Sequence, residues 1–384
     1  MVKIGIIGIG NMGSSHAKNI CAGKVPRAKL TAVCDINPQK YEAIKGELGG
    51  DVVFYDNDDA FFANADIDAV VIATPHYDHP PLAIRSFEKG WHVMVEKPAG
   101  VYTKQVHEMN AAAQKSGRVF GIMYNQRTNP LYQKVRELVR GGALGEMKRF
   151  IWIITNWYRP QSYYDSSTWR ATWKGEGGGV LLNQDPHQLD LWQWITGMPT
   201  RVRAFMKFGS HRNIEVEDDV TAYAEYANGA TGLFVTATHE TPGTNRLEIS
   251  GDNGRIVVEN DAIVFNRNVV GERQFNAEWK SGFGGPECWE CKVPVSGEYT
   301  QHVGILNNFM DAIETGAELI APGVEGIYGL TISNGLHLSA WTDDWVELET
   351  LDQDRFYEIL QQKIKQSTFV KAENDQVLDV GGTH

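Results

Sequence analysis

Hydrophobic and polar positions divide the chain into two halves with different patterns. In the first half, short apolar runs such as VKIGIIGI and DAVVIATP alternate with mixed segments such as TKQVHEMNAAAQKSG. Continuous apolar runs are typical of parallel strands that are buried on both faces, and the mixed segments are long enough for crossover helices. The pattern predicts a doubly wound (Rossmann) parallel sheet, which we place in residues 1–123.

The second half, residues 124–384, contains strand-like segments that follow one another with little helix between them. Apolar and polar residues alternate most clearly in TAYAEY, residues 221–226. Six segments share this character: MKRFIWIITNW, RVRAFMKFG, DDVTAYAEYA, ATGLFVTATH, NRLEISGDNG and RIVVEN. They predict an α+β domain that is built on a large open, mainly antiparallel sheet and that binds substrate. The open sheet face needs a cover, which predicts a homo-oligomer, either a dimer or a tetramer. The run from Leu351 to Phe369 is expected to be helical and the last residues to fray.

Composition and charge exclude several classes of protein. The 384 residues carry a net charge of −12, which disfavours nucleic acid and anionic membrane surfaces as partners. The sequence contains no run of 18 apolar residues, so we expect no transmembrane helix. The first residues already form a strand and a glycine turn, so we expect no signal peptide and a cytoplasmic location. Cys288 and Cys291 form a lone CxxC without further ligands, and we interpret it as a loop with no metal.

The first apolar strand leads into a glycine-rich turn. Gly8, Gly10 and Gly13 lie in GIGNMG, immediately before a helix-like segment. Glycines at this spacing allow a tight turn, close approach of a pyrophosphate and close helix packing. The second strand ends in Asp35, which can accept hydrogen bonds from an adenosine ribose and would repel a 2′-phosphate. This order of elements predicts NAD rather than NADP, although a helix-capping Asp35 is the alternative.

The strand HVMVEKP ends in an unusual way. Lys97 follows an apolar run and precedes Pro98, which cannot continue a strand ladder. Ligands of such sheets bind beyond the carboxyl ends of the strands, so Lys97 is either a solvated strand terminus or an aimed proton donor and acceptor. Glu96 is expected to orient the strand end, and the Lys97–Pro98 bond is a candidate for the cis form.

The segment Gly177–Gly197 predicts a helix with one polar face. Asn183 and His187 are four residues apart and would share that face, and Asp190 would lie within a turn of His187. Pro186 is expected either to kink this helix or to lie in its first turn. On this segment alone, His187 is equally well interpreted as a core histidine that is hydrogen-bonded to a neighbour.

An aromatic and basic stretch, NWYRPQSYYDSSTWRATWKG, precedes this helix. Aromatic rings bind the apolar faces of sugar rings, and arginine donates to several hydroxyls. The alternative is a packed loop that covers the sheet. The candidate substrate-binding residues are Tyr158, Arg159, Trp169 and Arg170, together with Arg127 past the end of an earlier strand.

These motifs together resemble the Gfo/Idh/MocA family of NAD(P)-dependent sugar and cyclitol oxidoreductases. The matching stretches are GIGNMGSSH, TPHYDH, EKP and GGGVLLNQDPHQLD. The resemblance implies that Lys97 and His187 belong to the catalytic centre, with Asn183 where many relatives carry an aspartate. Asparagine cannot stabilise an imidazolium by charge, which leaves open how Lys97 and His187 share the proton transfer. The predicted cofactor-binding set is Gly8, Gly10, Asn11, Met12, Gly13, Asp35, Thr74, Pro75, His79, Glu96 and Lys97, and Asn183 and His187 are also expected to bind substrate.

The predicted function is NAD-dependent hydride transfer between nicotinamide and a ring hydroxyl or ketone. The substrate would be a sugar, a glycoside or a cyclitol, as in inositol or glucoside 3-dehydrogenases. A partly desolvated lysine beside an oxidised nicotinamide should have a lowered pKa, which suits a general base. Two alternatives stay open: an NAD-dependent glycosidase that works by transient oxidation and elimination, and a non-catalytic NAD-binding regulator.

Overall fold

The first half of the protein is a six-stranded parallel sheet, as the sequence predicts. The computed structural model describes residues 1–371. The strands are β1 (Val2–Ile7), β2 (Ala28–Cys34), β3 (Val53–Tyr55), β4 (Ala69–Ile72), β5 (His92–Val95) and β6 (Phe120–Ile122). Their order is β3-β2-β1-β4-β5-β6, and every pair is parallel. Strands β2 and β3 are added on one side of β1, and the strands from β4 to β6 on its other side. Doubly wound sheets bind their ligands at this point, between β1 and β4.

Helices connect successive strands of this sheet. They are α1 (Asn11–Cys21), α2 (Pro38–Leu48), α3 (Asp58–Asn64), α4 (His79–Glu88) and α5 (Thr103–Ser116). The predicted strand HVMVEKP ends at Val95, so the EKP residues follow the strand instead of extending it. The Lys97–Pro98 peptide bond is cis. Glu96 and Lys97 therefore lie at the edge of the sheet where its strands end.

The second half contains a nine-stranded mixed sheet. It begins after α6 (Pro130–Arg140) and consists of β7 (Met147–Ile154), β8 (Arg201–Phe208), β9 (Glu217–Glu225), β10 (Thr231–Ala237), β11 (Asn245–Gly251), β12 (Gly254–Glu259), β13 (Ala262–Asn268), β14 (Cys288–Val293) and β15 (Val346–Glu347). The strand order is β14-β13-β12-β11-β7-β10-β9-β8-β15. Only the β7–β10 pair is parallel among the pairs of these strands, which confirms the predicted mainly antiparallel sheet. The six strand-like segments of the sequence all form strands, whereas β13, β14 and β15 were not predicted.

The interpretation of the CxxC pair as a loop is wrong. Cys288 and Cys291 both lie in β14, where they pair with Asn268 and Phe265 of the neighbouring strand. Both thiols are free. Residues three apart on a strand point to opposite faces, so these two thiols do not converge.

The segment Gly177–Gly197 is not the single helix that its pattern predicts. It forms two helices, α8 (Val180–Asn183) and α9 (Pro186–Thr196), and a short α7 (Gln161–Asp165) precedes them. Pro186 occupies the first turn of α9, where its missing N–H costs nothing, and it disfavours the helical conformation of the residue before it. Asn183 and His187 therefore belong to different helices and do not share one face.

Helix α9 lies against one face of the nine-stranded sheet. The ring of Trp192 stacks on Phe150 of β7 and on Phe234 of β10, with centroid distances of 5.1 and 5.4 Å. All three side chains are fully buried. This packing fixes α9 on the sheet and directs its N-terminal turn, with His187, toward the first half of the molecule.

Three of the remaining helices join the two halves. They are α11 (Gln301–Thr315), which contacts α1, and α12 (Gly326–Thr342) and α13 (Gln353–Gln366), which contact α5. The fourth, α10 (Glu272–Glu278), lies beside the nine-stranded sheet, where Glu272 pairs with Lys148 of β7. Asn334 of α12 accepts from the backbone of Thr103 and donates to the carbonyl of Val101, and Ile122 donates to the carbonyl of Ala321. The predicted division at residues 123 and 124 stays a prediction, and residues 372–384, including the predicted frayed end, lie outside the described residues. Within residues 1–371, no helix has both the length and the apolar character needed to cross a membrane.

Candidate active site

The glycine-rich turn after β1 has the form of a phosphate cradle. Gly8 adopts φ +86°, a left-handed conformation that favours glycine, and a Cβ on Gly13 would overlap the carbonyl oxygen of Gly8. A Cβ on Gly10, in contrast, would meet no atom within 4 Å. Gly10 precedes the first turn of α1, which has no side-chain cap. The turn thus leaves open space beside the amide groups of a helix start, which fits a pyrophosphate.

Asp35 lies directly beside this cradle, at the end of β2. Its carboxylate accepts from the backbone N–H groups of Ile9 and Asn37, both at 2.9 Å. Lys40 lies 3.7 Å from the same group. The carboxylate is thus held beside the glycine loop, and its role in binding a ribose stays a prediction. The helix cap of α2 is Asn37, so the alternative role for Asp35 is not needed.

Two buried polar groups without a partner in the described residues stand at the carboxyl ends of β4 and β6, the strands on either side of β5. The Thr74 hydroxyl after β4 and the Asn125 side-chain amide after β6 form no hydrogen bond within the described residues 1–371. Buried polar groups are ordinarily satisfied, so these atoms favour a ligand at this rim. Pro75 follows Thr74 on the same rim, whereas His79 lies within 2.8 Å of the carbonyls of Thr74 and Pro98 and joins two strand ends.

Glu96 fixes the backbone at the end of β5. Its carboxylate accepts from the ring of His16 at 2.7 Å and from the backbone N–H of Lys97 at 3.1 Å. Burial acts to raise the pKa of Glu96, but the hydrogen bond and the charge of His16 outweigh it, and the pKa falls to about 2. Glu96 therefore remains a carboxylate and fixes the backbone from which the Lys97 side chain extends.

Lys97 is partly buried and directed across the gap between the two halves. Its Nζ donates to the backbone carbonyl of Asn183 at 2.7 Å. Burial lowers the pKa of Lys97, Glu96 opposes this change, and the positive charges of Arg170 and Arg159 lower the pKa further. A lowered pKa makes the neutral amine, which is the form that accepts a proton, easier to reach than in a solvated lysine.

The side chain of Asn183 is part of a polar network that sequence patterns did not reveal. Its Oδ1 accepts from the Tyr163 hydroxyl at 3.0 Å, and its Nδ2 donates to Glu176. Arg170 in turn donates to the Tyr163 hydroxyl at 2.6 Å. The network therefore links Asn183 of α8, whose carbonyl accepts from Lys97, to the aromatic and basic loop.

Glu176 is the main functional candidate that the sequence analysis missed. It is 1% exposed, accepts from the backbone N–H of Ala171 and lies 3.8 Å from Arg170. Burial raises the pKa of Glu176, while Arg170 and the donated hydrogen bonds oppose the rise. Its signal in the sequence was a single carboxylate inside the glycine run KGEGGG, where no helical or strand pattern draws attention to it.

The predicted substrate loop places three of its residues near this network and one farther out. The guanidinium carbons of Arg170 and Arg159 lie 4.5 and 5.2 Å from the ring centroid of Tyr163. Trp169 packs beside His76 with a centroid distance of 5.5 Å. Tyr158 is 43% exposed and contacts Arg212.

Arg127, which was expected to bind substrate, lies in a buried ion pair, and its predicted role in substrate binding stays a prediction. Its guanidinium donates two hydrogen bonds to Asp190, at 2.7 and 2.6 Å, and a third to Glu325. The side chains of Arg127 and Asp190 are each 1% exposed. The guanidinium is thus held in a buried ion pair, and Asp190 pairs with Arg127 instead of accompanying His187.

His187 occupies the first turn of α9 and is 7% exposed. Its ring lies edge-on to Tyr124, with 6.3 Å between centroids. Two residues earlier, Asp185 is fully buried, and this burial raises its pKa to about 8. The α8–α9 break therefore places an imidazole and a carboxyl of raised pKa within four residues of Asn183, whose carbonyl accepts from Lys97.

A second buried acid, Glu217, positions this break. Its two oxygens accept from the backbone N–H groups of Gly179 and Leu181, at 2.8 and 3.0 Å, and His337 of α12 lies 3.0 Å away. Glu217 thereby caps α8, whose last residue is Asn183. The alternating pattern of β9 shows that Glu217 begins a strand but gives no hint of this partner.

The fold and the site together indicate the class of protein. The parallel sheet carries a glycine turn that fits a pyrophosphate, and Lys97 at its edge contacts the polar network around Asn183. This arrangement is typical of an oxidoreductase that uses a dinucleotide. Residues 2–124 match the oxidoreductase family with an NAD-binding Rossmann fold, and residues 132–257 match the GFO/IDH/MocA C-terminal domain. The chain belongs to the Gfo/Idh/MocA family, and its cofactor is NAD.

Named relatives agree with this assignment. The chain is 26% identical over 339 residues to the inositol 2-dehydrogenase of Rhizobium meliloti, which covers 87% of this chain and 95% of that protein. It is 28% identical over 249 residues to the D-glucoside 3-dehydrogenase of Escherichia coli. This alignment covers 59% of this chain and 68% of that protein. The WlbA dehydrogenase of Bordetella pertussis, solved with NADH and UDP-GlcNAcA, superposes with a TM-score of 0.75 at 25% identity, over 90% of this chain and 98% of that chain.

Proposed function

We propose that the protein oxidises a ring hydroxyl of a sugar, a glycoside or a cyclitol, and reduces the matching ketone in the reverse direction. The observation that carries the proposal is the position of Lys97. Its Nζ lies on the cofactor rim of the sheet and reaches the α8 carbonyl of Asn183 at 2.7 Å. The named relatives act on an inositol and on a glucoside, which supports this class of substrate.

The cofactor-binding residues on the first sheet are proposed to be those predicted from the sequence. Gly8, Gly10 and Gly13 would accommodate the pyrophosphate together with the backbone of Asn11 and Met12, and Asp35 would bind the ribose. Thr74, Pro75 and Lys97 would border the nicotinamide, while His79 and Glu96 hold the strand ends in place. Bound NAD supplies the hydride acceptor.

Lys97 is proposed to remove the proton from the reacting hydroxyl. Its lowered pKa makes the neutral amine accessible, and the oxidised cofactor ring would favour that form further. After the transfer, the ammonium remains hydrogen-bonded to the carbonyl of Asn183, which stabilises the new charge. His187 would donate to the same oxygen or position the ring, and the Asn183 side chain, held by Glu176 and Tyr163, would complete the substrate wall.

Replacement of Lys97 by alanine tests the proposal. We expect NADH binding to be nearly unchanged and kcat to fall by roughly two to four orders of magnitude, the usual range for a general acid–base group. Arginine should not restore activity, because its guanidinium stays protonated. The substrates are inositols, free hexoses and aryl glucosides with NAD, followed at the NADH absorbance.

The pH profile provides the matched measurement. In the oxidation direction, kcat/KM of the wild type should rise with pH and level off once Lys97 is neutral, and Lys97→Ala should lose this limb. Lys104→Ala, which removes a lysine paired with Asp354 on the surface, is the control and should behave as wild type. A Lys97→Ala protein that keeps more than about a tenth of the wild-type kcat would show that the strand end is structural.

We further propose that a second copy of the chain covers the open face of the nine-stranded sheet. Phe205 and Tyr223 on this face are 63% and 38% exposed, and Trp345 packs edge-on against Tyr223. Apolar side chains grouped on an open sheet favour burial in an interface. Light scattering at micromolar concentration should give a dimer or a tetramer, and a strictly monomeric protein would contradict this assembly.

A further inference from the structure

We infer that the substrate carries a carboxylate, which Arg170 and Arg159 bind beside the reacting hydroxyl. The inference rests on the proposed function, because it concerns the same site and narrows its substrate to a sugar acid, either an aldonic or a uronic acid. Two cationic side chains on one aromatic ring are the feature that points to an anion.

Tyr163 holds both arginines at the wall of the site. The guanidinium carbons of Arg170 and Arg159 lie 4.5 and 5.2 Å from the Tyr163 ring centroid. Arg170 is further fixed by its 2.6 Å hydrogen bond to the Tyr163 hydroxyl, and Arg159 by a 3.0 Å bond to the carbonyl of Tyr158. An aromatic face positions a planar guanidinium but leaves the N–H groups along its edge available for a ligand.

Each arginine has a donor that remains unused. The Nε atoms of Arg170 and Arg159 are buried and form no hydrogen bond within residues 1–371. The Arg170 side chain is only 12% exposed, so little solvent reaches it. A buried donor without an acceptor is costly, and the cost is larger for a charged group. A ligand with paired oxygens removes this cost at both positions.

The charge balance of the wall favours an anion over a neutral hydroxyl. Arg170 has the Glu176 carboxylate 3.8 Å away, whereas Arg159 has no carboxylate oxygen within 4.0 Å in the described part of the chain. Burial raises the pKa of Glu176, the acid beside Arg170. Both arginines also lower the pKa of Lys97, so their field reaches the reacting centre. A substrate carboxylate would neutralise this excess.

The short network limits where the anionic group lies on the substrate. Arg170 contacts the Tyr163 hydroxyl, which contacts Asn183, and the backbone carbonyl of Asn183 accepts from Lys97. The anion and the hydroxyl that Lys97 deprotonates therefore belong to one small molecule and are separated by a few bonds. Guanidinium and carboxylate match in planar, bidentate geometry, which is the reason for choosing a sugar acid.

Matched acids and amides separate charge from shape. With NADH bound, the dissociation constants of D-glucuronate and D-glucuronamide, and of D-gluconate and D-gluconamide, are measured by NADH fluorescence and calorimetry. In at least one pair, the acid should bind about 10- to 100-fold more tightly than the amide, as expected for charged hydrogen bonds. Arg170→Gln and Arg159→Gln should each reduce this ratio toward one. Arg203→Gln, which removes an arginine paired with Asp343 outside the site, should leave the ratio unchanged.

The outcomes separate this inference from the proposed dehydrogenase activity. If no acid in the set binds at least about threefold more tightly than its amide, or if the preference survives both arginine substitutions, the carboxylate site is wrong. NAD reduction by neutral polyols alone, with no preference for acids, would refute the carboxylate and retain the dehydrogenase. A preference for acids that depends on both arginines, without NAD reduction by any acid or neutral compound tested, would support the anion site and count against the dehydrogenase.

Discussion

Replacing Arg127 with methionine should destabilise the protein without impairing substrate binding. The substitution keeps much of the side-chain volume and removes a guanidinium that pairs with Asp190 at 2.6 Å, in a site where both side chains are 1% exposed. It leaves the Asp190 carboxylate buried with Gln193 as its remaining side-chain donor in the described chain. Removing one member of a buried ion pair costs about 3–5 kcal/mol, because the other charge is then uncompensated.

This cost can be converted into a melting temperature. An unfolding entropy of about 2.1 cal/mol/K per residue gives about 0.8 kcal/mol/K for the whole chain, so the loss corresponds to about 4–6 °C. The assay is thermal unfolding followed by circular dichroism or calorimetry. The double variant Arg127→Met with Asp190→Asn should recover part of the loss, because a neutral amide is less costly to bury than a lone carboxylate.

The pH dependence of the same variant gives a second check. Burial raises the pKa of Asp190, and Arg127 opposes the rise, so the pKa should be higher still in Arg127→Met. An acid whose folded-state pKa is raised favours folding at low pH, and this contribution is lost as pH increases through the folded pKa. The stability deficit relative to wild type should therefore be smallest near about pH 4, the ordinary pKa of aspartate, and grow as pH increases. An unchanged melting temperature combined with a raised KM would refute this reasoning and restore Arg127 as a substrate ligand.

Four further substitutions test the cofactor and substrate walls. Gly10→Ala should leave the melting temperature unchanged and weaken NADH binding, since its Cβ has free space in the protein alone, whereas Gly13→Ala should lower the melting temperature because its Cβ overlaps the loop backbone. If Gly10→Ala and Gly13→Ala changed the melting temperature equally, the open space assigned to the phosphate beside Gly10 would be wrong. Asp35→Ser should narrow the preference for NAD over NADP by removing the charge that repels a 2′-phosphate, and comparable kcat/KM for the two cofactors in the wild type would refute that role. Asn183→Asp should lower kcat, because its carboxylate would face Glu176, and the loss should diminish at low pH as one of the two acids is protonated.

The sequence predicts the first half of this fold well because its signals are local. An apolar strand, a glycine turn and a helix start occupy consecutive residues. Gly8 is favoured by its left-handed backbone, and Gly13 by its contact with the carbonyl of Gly8 in the same loop. Likewise, Asp35 follows its strand directly and bonds to Ile9 of the neighbouring loop. Each of these positions can be inferred from residue type and order, so the predicted parallel sheet and its dinucleotide-binding turn follow from short stretches of the chain.

The second half shows where such inference ends. The spacing of Asn183 and His187 predicts one helical face, but the proline between them starts a new helix and separates the two side chains. Arg127 follows a strand at the ligand-binding rim, as a substrate residue would, yet its acceptor Asp190 is 63 residues away along the chain. Periodicity reports which face is buried, but the partner of a buried charge is set by tertiary packing, which the pattern does not encode.

Long-range pairing also explains why the catalytic wall has the composition that it does. Glu217 caps the start of α8 and fixes the position of the Asn183 carbonyl at its end, and that carbonyl accepts from Lys97 across the gap between the two halves. The contact is made by backbone, so a change of the Asn183 side chain alters the substrate wall without removing the acceptor for the lysine. The side chain is then free to join Glu176 and Tyr163, whose ring positions the two arginines. If Lys97 and Asn183 have the roles proposed for them, we expect substrate preference to change with the Asn183 side chain while the backbone acceptor of the lysine stays in place.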